Sequence, residues 1–78
     1  MDANGARYLL ARLAIGAPVG SRVEVVTVTD MQSPLRPGDT GTLVSIDEGT
    51  ATLSIDSYGE MIVDPFAVSL RRILQRSA

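Results

Sequence analysis

Residues 51–56, Ala-Thr-Leu-Ser-Ile-Asp, alternate apolar and polar side chains without a break. Turn-forming residues bracket them, Asp47-Glu48-Gly49-Thr50 before and Ser57-Tyr58-Gly59 after. Period two over six residues puts Ala51, Leu53 and Ile55 on one face of a strand and leaves Thr52, Ser54 and Asp56 on a wet face. A short strand between tight turns pairs with its chain neighbours, which commits this part of the chain to an antiparallel sheet.

The same period runs through most of the chain after Val19. Arg22 to Thr29 is rich in β-branched residues, with Val23, Val25 and Thr27 on one face and Glu24, Val26 and Val28 on the other. Two nearly apolar faces predict a strand covered on both sides, with the N-terminal helix as the candidate cover. Asp30 to Asp39 reads as a loop punctuated by Ser33-Pro34 and Pro37-Gly38, the second a good type II turn pair. Thr42, Val44 and Ile46 then alternate with Leu43 and Ser45, and Met61 to Val63 form a fourth strand. Asp64-Pro65-Phe66 makes a tight turn. Val68 and Leu70 alternate as a fifth strand near 68–73 would, although Phe66, Leu70, Ile73 and Leu74 also fit a helix capped by Asp64. The strand is the preferred reading.

Ahead of the strands, residues 3–14 carry a helical period. Ala6, Leu9, Leu10 and Leu13 recur on one face with Arg7 and Arg12 off it. Asp2 or Asn4 is available as cap, and Gly16 and Pro18 stop the helix. A helix this short is marginal alone in water. Its leucines either cap an open end of a barrel built by the strands or form a dimer or partner interface, and both readings stay open here.

Val19-Gly20-Ser21-Arg22-Val23-Glu24-Val25, followed by Pro37-Gly38-Asp39-Thr40-Gly41-Thr42-Leu43-Val44-Ser45-Ile46-Asp47, resembles the core of KOW-type SH3-like barrels. It is similar also to small bacterial and phage SH3-like domains of unknown function. The resemblance implies a mainly all-β fold, a small five-stranded SH3-like barrel over residues 19–73. The N-terminal helix and connector (1–18) precede it and a short basic tail (74–78) follows. KOW modules touch ribosomal RNA through basic loops, whereas the equivalent loops here carry Asp39, Asp47 and Glu48. Gly41 enters a strand from a turn, a place for positive φ or close backbone approach, and Gly49 and Gly59 occupy hairpin turns.

The composition closes most routes to chemistry. In 78 residues there is no cysteine and no histidine, so a disulfide, a thiolate metal site and the commonest general base are all absent. Lysine is missing too, since all seven basic residues are arginine, which leaves the hydroxyls of Ser, Thr and Tyr without an activating partner. Asp47 with Glu48, and Asp56 with Glu60, are read as solvated turns, because calcium requires a programmed loop of oxygens that this chain lacks. Gly38-Asp39-Thr40-Gly41 is a turn and no phosphate-binding fingerprint. With aromatics at 4 %, neither a proline-peptide groove nor a base-stacking platform is expected. No catalytic residue, metal, cofactor or small-molecule substrate is expected, and the chain reads as a non-enzyme.

The net charge of −2 is segregated: six acids and no base lie between Asp39 and Asp64, while Arg71, Arg72 and Arg76 follow with no acid. The middle of the chain would repel a phosphate backbone and the end would attract one. No apolar run reaches the roughly 20 residues a bilayer span requires, and Asp2 stands where a basic signal region would begin, so a cytoplasmic location is expected. The resulting expectation is a protein-interaction module, with self-association as one form of it. Leu9, Leu10 and Leu13 and the arginines Arg71, Arg72 and Arg76 are its candidate contact residues. The alternative is a KOW-type nucleic-acid-binding accessory factor using the C-terminal arginines.

Overall fold

The computed structural model describes residues 3–29 and 31–74. One helix, α1 (Ala3–Ile15), precedes five strands: β1 (Arg22–Val28), β2 (Thr40–Asp47), β3 (Thr50–Ile55), β4 (Gly59–Val63) and β5 (Val68–Arg72). All pair antiparallel in a single sheet of order β4-β3-β2-β1-β5. The fold is therefore mainly β, with one short helix. Among the described residues β4 and β5 do not pair, so the sheet stays open where a barrel would close.

β3 has the alternation its sequence requires, with Ala51, Leu53 and Ile55 buried. Its neighbours depart from simple alternation. A bulge between Leu43 and Ser45 makes Val44 the extra residue of β2, so Leu43 and Ile46 both face the core while Val44 turns outward. The expected face of Thr42, Val44 and Ile46 is broken by that one residue. The β1–β5 ladder slips in the same way between Val25 and Thr27. Val23, Val25 and the half-buried Val28 pack inward, and Val26 and Thr27 are exposed. The second face of β1 consequently needs no cover, and α1 rests instead against β2, β3 and β5.

The glycines settle two turns and one close approach. Gly49 and Gly59, with φ of 91° and 108°, close the two hairpins as a positive backbone angle allows. Gly41 is a case of close approach: a Cβ there would press into the Ser54 carbonyl oxygen and lie 3.0 Å from Ile55 Cα. Asp64 accepts the main-chain N–H groups of Ala67 and Val68 and caps the Phe66 N–H with its side chain, which makes a single turn of 64–67 and releases the chain as β5, a strand.

The helix packs on a different face from the one its leucines suggest. Ala11 and Ile15 are buried, Tyr8 packs beside them, and the Arg7 guanidinium lies over Gly49 of the β2–β3 hairpin. Leu9, Leu10 and Leu13 are on the opposite side, 44 %, 56 % and 77 % exposed. Ala11, Ile15 and Tyr8 face the sheet, and the three leucines remain outside. Gly16, with φ of 69°, ends the helix by donating its N–H to the Arg12 carbonyl at 3.1 Å. Asn4 falls inside the helix, and Asp2, the other proposed cap, lies outside the described residues.

Candidate interaction surface

Of the residues singled out from sequence, the three leucines share one surface. Leu9 and Leu13 line an apolar cleft of about 540 Å³ with Arg12, Gly16, Ala17 and Pro18. Leu10 extends the same face outward along the helix. Pro18 also belongs to a second cleft, of about 450 Å³, which runs past Val19 and Ser21 to Arg72, Ile73 and Leu74. Pro18 of the connector thus borders both the cleft beside α1 and the cleft at the end of β5. Val19 and Leu74, both exposed, add to its apolar area. The connector's part was not singled out from the sequence, although the run of small and apolar residues from Ala14 to Val19 carried the signal.

Arg71 and Arg72 do not share a face of the sheet. Arg71 and Arg72 are consecutive on β5, so their side chains leave the sheet on opposite faces. Arg71 sits opposite Glu24 in the β1–β5 register and is ion-paired with it. Arg72 borders the second cleft together with Arg22. Arg76 lies outside the described residues.

A polar network at the edge of that cleft had no local sequence signal. Arg22 donates to Asp56 through both terminal nitrogens, Nη1 to Oδ1 at 2.8 Å and Nη2 to Oδ2, and Nη1 also reaches Thr42 Oγ1 at 3.2 Å. Thr40 Oγ1 donates to Asp56 Oδ2 at 2.8 Å. Hydrogen bonds from Arg22 and then from Thr40 hold the Asp56 carboxyl at a pKa of about 2. Asp56, a turn residue by sequence, thus fastens the starts of β1 and β2 to the end of β3. No polar or charged side chain is buried among the described residues. Nor do any of those residues group three or more acids in a way that could hold a metal ion.

The helix and the first four strands fall within a recognised family. Residues 6–63 match the Domain of unknown function (DUF4314). The chain belongs to this family. The match takes in α1 from Ala6 together with β1 to β4, so the helix is part of the family's domain and no appendage to the sheet. No curated protein and no solved structure matches the chain. Among the described residues no helix is long and apolar enough to cross a membrane.

Proposed function

We propose that this domain is a non-enzymatic, cytoplasmic protein-interaction module of SH3-like, KOW-type architecture that docks a partner protein on the outer face of α1. One observation carries the reading: α1 spends Ala11 and Ile15 on its own sheet and leaves Leu9, Leu10 and Leu13 uncovered above an apolar cleft. Burying such a face against a partner is the main source of association free energy, whereas its exposure in water is unfavourable. The long first loop between β1 and β2 and the tight turn before β5 support the SH3-like assignment. Arg12 and Arg72 stand at the margins of the two clefts, where an acidic rim on the partner would complement them.

The pairing of Arg71 with Glu24 partly offsets one of the cations on which the nucleic-acid alternative depends. Both readings are tested by affinity capture from the native host's extract, with wild-type protein and the Leu9→Asp/Leu13→Asp variant side by side. A protein retained by wild type and lost by the leucine variant is the expected result. Recovery of nucleic acid that survives the leucine changes and disappears with Arg71→Ala/Arg72→Ala would overturn the proposal in favour of the alternative.

A further inference from the structure

The open sheet has two free edges, and they are built differently. β5 carries Arg71 and Arg72 and belongs to a bulged ladder, both devices that discourage strand addition. β4, Gly-Glu-Met-Ile-Val, pairs with β3 in unbroken register from Ala51↔Val63 to Ile55↔Gly59, contains no proline or basic residue, and has Glu60 as its one charge.

The ladder fixes which main-chain groups of β4 face outward. Asp56 donates its N–H to the Thr40 carbonyl at 2.9 Å, on the β2 side of the sheet. Alternation along β3 then directs Ile55, Leu53 and Ala51 to β4, where Gly59, Met61 and Val63 answer them. Glu60 and Ile62 therefore turn their N–H and C=O groups to the open edge. Ile62 is 70 % exposed on the outer face. Beside the same edge, a groove of about 320 Å³ is lined by Met61, Ile62 and Val63 of β4, Pro34 of the long loop, and Ala67 and Val68 at the start of β5.

We propose that β4 is a self-complementary edge at which two copies of this chain pair, joining two open sheets into one. A two-fold axis at Met61 sets Glu60 opposite Ile62 of the second copy and Gly59 opposite Val63. That register brings the outward main-chain groups of Glu60 and Ile62 into hydrogen-bonded pairs, sets Met61 against Met61 beside the grooves, and places no like charges directly opposite one another. Met61, unbranched and adaptable, fills an irregular space of this kind well. A second copy is favoured over an unrelated strand because the same five residues supply both halves of the match, as an isologous contact requires. This contact is separate from the α1 face and does not depend on it.

Sedimentation from micromolar to millimolar concentration, on wild type, Ile62→Pro and Leu10→Asp, is the test. Proline at 62 removes an outward N–H and leaves the β3 pairing intact, as edge prolines do. Wild type and Leu10→Asp should pass from monomer to dimer with concentration, and Ile62→Pro should dimerise about tenfold more weakly or not at all. Amide exchange on wild type gives a second reading that needs no variant: Glu60 and Ile62 should slow at high concentration while Leu70 and Arg72, whose N–H groups face the opposite edge, do not change. A wild type that stays monomeric throughout overturns the proposal, as does concentration-independent exchange at Glu60 and Ile62. Dimerisation lost in Leu10→Asp and kept in Ile62→Pro would place the copies against each other through α1 and overturn it equally.

Discussion

Arg22, at the start of β1, and Asp56, just past the end of β3, stand 34 positions apart and share a two-pronged ion pair. The folded pKa of Asp56, about 2, lies below the roughly 3.9 of an unfolded aspartate, so the pair adds stability that is full above pH about 4 and is lost as pH falls through about 2. Carbon-detected NMR titration should find Asp56 ionised at pH 3. Asp56→Asn should flatten the acid limb of the stability profile, and added salt should weaken the pair because it is exposed. A midpoint near 4 for Asp56 would mean that the pair does not form in solution.

Leu53 is the centre of the core. It is fully buried on β3 and stands opposite Leu43 of β2 in the ladder. Leu53→Ala should cost about 2–5 kcal/mol, comparable with the roughly 3–5 kcal/mol that a domain of this size retains. Urea unfolding should therefore find this variant largely unfolded at low denaturant, and an unchanged midpoint would refute the β2–β3 register.

Gly41→Ala tests the closest backbone approach in the sheet. The added methyl meets main-chain atoms of Ser54 and Ile55, which cannot swing aside as a side chain could. We expect destabilisation on the order of 1–3 kcal/mol by calorimetry, the usual range for overpacking. A neutral result would place β2 and β3 farther apart here.

Legibility from sequence followed the number of residues that had to agree. β3 could be read outright because Ala51, Leu53 and Ile55 keep one face with no insertion. β1 and β2 gave their positions but not their faces, since one extra residue at Val26 and at Val44 reverses everything beyond it. In α1 the leucines carried the amphipathic signal, yet the helix turns Ala11 and Ile15 to the sheet. Hydrophobicity marks both faces, and only the shape of the sheet separates them. The Arg22–Asp56 pair was invisible for a simpler reason: charge complementarity over such a separation has no local signature. The open seam between β4 and β5 was equally hidden, because strand count alone does not determine closure.

Nucleic acid should bind weakly. With Arg71 committed to Glu24 and the loops acidic, we expect duplex DNA or RNA to bind no tighter than about 10⁻⁵ M at physiological salt, within the non-specific range. Fluorescence anisotropy across a salt series measures this. Submicromolar binding that is lost in Arg71→Ala/Arg72→Ala would contradict the expectation.

The two faces of α1 have separate tasks, and paired aspartate substitutions compare them in one experiment. Ala11→Asp buries a charge at a fully enclosed position and should abolish folding. Leu13→Asp changes a side chain that is 77 % exposed, so thermal unfolding in dilute solution should move by no more than about 0.5 kcal/mol. The measurement is the melting curve of each variant beside wild type at low micromolar concentration. The account predicts loss of the transition in Ala11→Asp and its preservation in Leu13→Asp. A folded Ala11→Asp together with an unfolded Leu13→Asp would show that the leucines, and not the alanine face, hold the helix to its own sheet.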